Sequence, residues 1–115
     1  MKKLKLSSGE IPIEVMDYLI EQMQKISFGE VVLVAQDGVL VQIESQEKLR
    51  LANWGQHLEQ QLWTAKQQDH IIKHIQQEFS HLTYGKLVIV IKNGNVIQME
   101  RTEKQRFTGL DGEGI

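Results

Sequence analysis

Phe28–Leu51 reads FGEVVLVAQDGVLVQIESQEKLRL, and Tyr84–Phe107 reads YGKLVIVIKNGNVIQMERTEKQRF, an offset of 56 residues with no gap. From Gly29 to Leu51, nine of 23 positions are identical: Gly29, Val32, Val34, Gly38, Gln42, Glu44, Glu47, Lys48 and Arg50 recur as Gly85, Val88, Val90, Gly94, Gln98, Glu100, Glu103, Lys104 and Arg106. Half of the other 14 positions are apolar exchanges, such as Val31 with Leu87. The chain therefore contains a duplication, and a repeat must be recognised before elements are assigned.

Each copy reads as a helix followed by a hairpin. In the first, Met16, Leu19, Ile20, Met23 and Ile26 recur at helical spacing, an amphipathic stripe, and Pro12 suits a first helical position. Ile72, Ile75, Phe79 and Leu82 repeat the stripe in the second. Gly29 and Gly85 are placed to take the left-handed conformation that closes a helix. Leu58, Leu62 and Ala65 keep a similar spacing, and no Gly or Pro interrupts residues 56–84. One long helix from about Gln56 to Leu82 is therefore favoured over a break at Asp69, a good N-cap.

Asp37-Gly38 and Asn93-Gly94 are the dipeptides best suited to the positive φ angles of a two-residue type I′ turn. Such a turn pairs Gln36 with Val39, Val34 with Val41 and Val32 with Ile43. One face then carries Val32, Val34, Val39, Val41 and Ile43. The other carries Val31, Leu33, Ala35 and Leu40, joined by Gln42 and Glu44. A hairpin apolar on one face and half-apolar on the other cannot stand alone in water. One face is expected to take the helix stripe, the other to meet the second repeat or another copy of the protein.

The expected fold is thus α+β: two helix–β-hairpin (αββ) repeats packed as an intrachain pseudo-dimer, an antiparallel sheet covered by helices. The 115 residues divide into a first unit over 11–51, a helical connector over 52–68, a second unit over 69–107 and a flexible tail over 108–115. That tail holds three glycines and two acids with no periodic apolar pattern, too little to offset its ordering entropy.

Composition excludes several classes. With no cysteine there is no disulfide framework, thiolate nucleophile or thiolate zinc site. The longest apolar runs, Val31–Ala35 and Leu87–Ile91, fall far short of the roughly 20 residues that span a bilayer. Lys2, Lys3 and Lys5 imitate the start of a signal peptide, but Ser7-Ser8-Gly9-Glu10 follows where an apolar core is required. A frayed basic arm on a cytoplasmic protein is the expectation. Gln56, Gln60, Gln61, Gln67 and Gln68 crowd one stretch; the leucines and tryptophan between them indicate a solvated helix face.

The motif set (helix, Phe/Tyr-Gly, apolar strand, Asp/Asn-Gly, Val-Gln-Ile-Glu, Glu-Lys-x-Arg-Leu/Phe) resembles the YezD-type family of small bacterial proteins, a domain of unknown function. The resemblance covers about residues 13–51 and, less faithfully, 69–107. It implies a single such unit in most members and no catalytic residues to carry over. The second copy departs at Gln105, where the first has Leu49, and at Gln76, where the stripe has Ile20. Those departures imply that its helix and last segment pack somewhat differently.

The candidate site is the polar set kept in both copies: Gln42, Glu44, Glu47, Lys48 and Arg50 with Gln98, Glu100, Glu103, Lys104 and Arg106. It reads either as a doubled binding patch or as a salt-bridge network ending each hairpin, whose exposed pairs contribute only about 0–1 kcal/mol each. An unknown protein partner is the expected ligand. A small nucleic-acid or anion binder using Lys48, Arg50, Lys104 and Arg106 is the alternative, disfavoured by interspersed glutamates and a formal charge of −2. His70, His74, Glu78 and His81 share a helix face, yet the first copy has Glu14, Tyr18, Gln22 and Lys25 there, so the repeat requires no metal. No phosphate-cradling loop occurs and the serines have no base at suggestive spacing, so the reading leans away from an enzyme and calls for no cofactor. Trp54 and Trp63 are expected as core or interface anchors. The chain is expected to be a monomer with pseudo-twofold symmetry or a weak homodimer, off the membrane.

Overall fold

In the computed structural model, residues 4–55 and 62–105 are described. The order is α1 (Ile13–Met23), β1 (Phe28–Gln36), β2 (Val39–Glu47), a short 3-10 turn (Leu51–Asn53), α2 (Ala65–Ser80), β3 (Gly85–Lys92) and β4 (Asn95–Glu103). The four strands form one antiparallel sheet in the order β2-β1-β3-β4. The two hairpins are therefore joined edge to edge through β1 and β3. In that ladder Val32 lies opposite Val88, its own counterpart in the repeat, with Val31 opposite Ile89 and Leu33 opposite Leu87. A pseudo-twofold axis passes through the Val32–Val88 pair, and the αββ pseudo-dimer is the fold.

Both helices lie on the same side of this sheet. Met16, Leu19, Ile20 and Met23 of α1 and Ile75 and Phe79 of α2 join Val31, Leu33, Ala35, Leu87, Ile89 and Ile91 in one buried cluster. Every strand residue of β1 and β3 in that cluster is odd-numbered, as the two-residue pleat requires for a sheet covered on one face. Burying each of these side chains other than Ala35 contributes about 1.5–3 kcal/mol, and a single hairpin with one short helix supplies only about half of them.

Both turns have the expected geometry, with φ of 54° at Asp37 and 76° at Gly38, and 52° at Asn93 and 74° at Gly94. The register that they impose does not persist. Gln36 pairs with Val39 and Ala35 with Leu40, but then Val34 pairs with Gln42, Leu33 with Ile43 and Val32 with Glu44. Val41 is an extra, unpaired residue, and Ile97 repeats the irregularity between Val90 and Ile91. A bulge reverses the facing of everything beyond it. Ile43 consequently joins the covered face, and Gln42 and Glu44 move to the face of Val32 and Val34. The expected grouping of Val32, Val34, Val39, Val41 and Ile43 is thereby corrected.

Gly29 and Gly85 do not close helices. They lie within β1 and β3, where a Cβ would sit 2.0 Å from the carbonyl oxygen of Gln46 or of Thr102. Close backbone approach, not helix termination, demands glycine at both. Pro12 is the N-cap of α1, with helix beginning one residue later. The single long helix is not observed: residues 62–64 are non-helical and α2 starts at Ala65, with Asp69 inside it. Thr64 explains the start. Its hydroxyl accepts from Gln67 N at 3.1 Å while Gln67 Oε1 accepts from Thr64 N at 2.8 Å, a complete capping box. Residues 56–61 and the tail 108–115 lie outside the described residues.

The two units also hold each other at their ends. Gly38 N donates to Thr83 O at 2.9 Å and Gly94 N to Ser27 O at 3.0 Å, so each hairpin turn is bonded to the helix–strand loop of the other unit. The turn carbonyls are satisfied differently: Gly38 O accepts from Gly9 N at 2.8 Å, Gly94 O from the buried Trp63 indole at 2.9 Å. Gly9 thus fastens the segment after the N-terminal arm, whose lysines Lys2 and Lys3 lie outside the described residues. Gln24 Oε1 accepts from Trp63 N at 2.7 Å and Gln68 Nε2 donates to Trp63 O at 3.0 Å. Gln67, exposed on the first turn of α2, also caps that helix, and half-buried Gln68 clamps Trp63, whereas Gln56, Gln60 and Gln61 lie outside the described residues. Gln76, the departure from Ile20, bonds both backbone groups of Ile11, accepting at 3.4 Å and donating at 3.3 Å.

A fragment ending at Gly55 keeps α1 and the first hairpin but exposes the inner edge of β1. We expect it to dimerise through β1, Val32 opposite Val32, in sedimentation equilibrium; a stable folded monomer would contradict the pseudo-dimer. In the full chain, Gly85→Ala must displace Thr102 and is expected to cost about 1–3 kcal/mol in urea denaturation.

Candidate functional site

The face of the sheet opposite the helices is the surface that the fold leaves open among the described residues. Its composition follows from the register. Across the middle, from edge to edge, stand Glu44, Val32, Val88 and Glu100. One step along the strands on one side stand Gln46, Glu30, Val90 and Gln98; on the other stand Gln42, Val34, Lys86 and Thr102. Four half-buried valines thus surround the pseudo-axis, with Gln and Glu on the outer strands and Glu30 and Lys86 closing two opposite corners of the valine group. Gln42 Nε2 donates to Glu44 Oε2 at 2.9 Å, so this pair is ordered along β2.

The bulges are what assemble this surface. Without the extra residue at Val41 and Ile97, Gln42, Glu44, Gln98 and Glu100 would point toward the helices. The two polar pairs flank the valines on opposite edges, separated by three strand spacings, roughly 14 Å.

The rest of the candidate set is divided between diagonal corners. Lys48 N donates to Phe28 O at 2.7 Å, and the Arg50 guanidinium stacks on the Phe28 ring at 4.4 Å from its centroid. Phe28 is buried yet stands apart from the main core cluster, so Arg50 is part of what covers it. Glu47 ends β2 opposite Gly29. At the other corner Lys104 N donates to Tyr84 O at 2.7 Å and Glu103 Oε1 accepts from Thr83 N at 2.8 Å. The Tyr84 hydroxyl bonds the Asp37 carboxylate of the first unit. Arg106 lies outside the described residues. The two Glu-Lys-x-Arg segments therefore do not come together. Among the described residues the ion pairs are Lys25–Glu21 at 3.6 Å and Arg101–Glu78 at 3.1 Å, neither of them in the candidate set.

A second concavity runs between α2 and the edge strand β4, about 280 Å³, lined by His70, Ile71, His74, Glu78, Val96, Ile97, Gln98 and Met99. The His70 and His74 rings meet edge to face at 5.2 Å, and Glu78 is taken by Arg101. Among the described residues no group of three or more potential metal ligands is formed. Trp63 is a core anchor, whereas Trp54 is 70% exposed and does not belong to the core.

A family described as uncharacterized small protein, DUF2292, matches residues 15–51 and, separately, residues 71–107. Together the matches span more than half of the chain. The chain belongs to this family. It carries the DUF2292 unit twice, in agreement with the YezD-type resemblance, and each match runs from the helix stripe through the hairpin. Trp63 and the capping box of α2 fall between the two DUF2292 matches. No curated protein and no solved structure gives a significant match. No helix among the described residues is long and apolar enough to cross a membrane.

Two charged members of the open face are not conserved between the repeats and so do not belong to the repeated polar set. Glu30 and Lys86 occupy equivalent positions with opposite charge, a signal present in the alignment at offset 56. The exposed Gln42–Glu44 and Gln98–Glu100 pairs are not required by the core. Glu44→Ala and Glu100→Ala are each expected to change unfolding free energy by less than about 1 kcal/mol. A loss of several kcal/mol in urea titration would make them structural.

Proposed function

We propose that the chain is a non-catalytic protein-interaction module of the cytoplasm whose docking surface is the open sheet face. The observation that carries this is the uncovered valine group around the pseudo-axis, rimmed by Gln42, Glu44, Gln98 and Glu100. An apolar centre with a polar rim is the anatomy of a protein interface. The mixed charge of the face supports the same reading: Glu30, Glu44 and Glu100 interleave with Lys86 and Lys92. A phosphate backbone would meet three carboxylates there. Lys48 and Lys104, offered for a nucleic-acid site, belong to opposite corners roughly 30 Å apart by strand geometry, too dispersed to act as one patch.

The test is positional photocrosslinking in cells. A photoreactive residue replacing Val90 is expected to give a discrete adduct, and one replacing exposed Lys73 on α2 is expected to give none. Absence of any adduct from position 90 would remove the open face as a docking surface.

A further inference from the structure

Resting on that reading of the open face, we propose that the occupant is a second copy of this chain, docked sheet to sheet with Glu30 of each copy against Lys86 of the other. Three observations lead there.

The first is elimination within the fold. The first hairpin is apolar on one face and half-apolar on the other, so covering the helix side leaves Val32 and Val34 partly exposed. The second repeat, joined at the edge through β1 and β3, does not cover them. The valines are left to something outside the described fold.

The second is charge. Around the pseudo-axis the valines and the outer Gln and Glu residues match, whereas Glu30 and Lys86 are opposite in sign. Neither belongs to an ion pair among the described residues. A face of one sign would repel its own copy. This face has Glu44 and Glu100 at its outer strands, but beside the valines it carries the Glu30 carboxylate and the Lys86 ammonium on opposite sides of the axis, so its centre is complementary to itself. An isologous twofold contact makes each interaction twice, giving two reciprocal Glu30–Lys86 pairs around a valine centre.

The third is area. Four strands about 4.8 Å apart and nine residues rising about 3.3 Å each give a face of roughly 500 Å². Two such faces reach about 1,000 Å² buried, the lower bound of a specific interface, which fits a weak, reversible dimer. Sheets packed this way would form a helix–sheet–sheet–helix sandwich with aligned strands.

Sedimentation equilibrium of the full chain from 1 to 500 μM tests this, on the wild type, Glu30→Lys, Lys86→Glu and the double swap. The wild type and the double swap are expected to dimerise. Each single reversal places like charges together and is expected to weaken the dimer at least tenfold. A wild type monomeric throughout overturns the proposal, and so does a dimer indifferent to both single reversals. Because the chain has no cysteine, Val88→Cys gives an independent readout that does not depend on the reversed variants folding. Mild oxidation is expected to link Val88→Cys chains in pairs and leave Lys73→Cys chains single; equal linkage of both overturns the proposal. A Val90 photoadduct to a different protein with no self-association would discard the second copy and retain the docking face. No adduct of any kind would discard both.

Discussion

The antiparallel pairing of β1 with β3 is the contact from which the rest of the structure follows. It sets Val32 against Val88, residues that are each other's counterparts, and so makes the duplication a symmetric object. Once that pair is placed, both helices must descend on the same side. Val31, Leu33, Leu87 and Ile89 then form the floor of one core, and the two hairpins become the outer strands. The same pairing carries each hairpin turn to the far unit's helix–strand loop, where Gly38 and Gly94 donate across the boundary. Without the pairing, neither unit has an edge partner or a second helix to complete its core.

Joining two units in one chain also frees them to differ. In a dimer of single units every residue occurs on both sides of the axis. Here Gln76 replaces the apolar Ile20 and holds the backbone of Ile11, and Trp63, held by Gln24 and Gln68, serves a turn whose counterpart is served by Gly9. Glu30 and Lys86 exploit the same freedom on the open face. A single unit carrying either residue would present two like charges around the axis.

Much of this architecture is legible in the amino-acid order. The DG and NG turns, the two apolar stripes and the ungapped offset lead directly to paired helix–hairpin units. The bulges are not legible, because a single added residue at Val41 leaves the local pattern of valines unchanged while reversing every facing after it. The role of Gly29 and Gly85 is hidden for a related reason: glycine after a helix suggests a cap, and close backbone approach appears only when the strands are placed. The start of α2 was available, since Thr64 and Gln67 stand at capping-box spacing, but the leucine period running through Leu58 and Leu62 masked it. The candidate site was half legible. Gln42, Glu44, Gln98 and Glu100 do share a surface with the valines, whereas Glu47, Lys48 and Arg50 separate from Glu103 and Lys104 because antiparallel packing sends the two hairpin ends to opposite corners.

The bulges at Val41 and Ile97 bear on a hazard common to small sheets. Both outer strands are edges, and an unbroken edge templates the addition of further strands from other molecules, the first step toward fibres. In this chain each outer strand is interrupted at the same place by an unpaired, half-exposed residue that bends it. Lateral polymerisation is thereby opposed at both ends of the sheet, and the sheet stops at four strands. One local irregularity, copied with the repeat, thus guards both margins of the sheet.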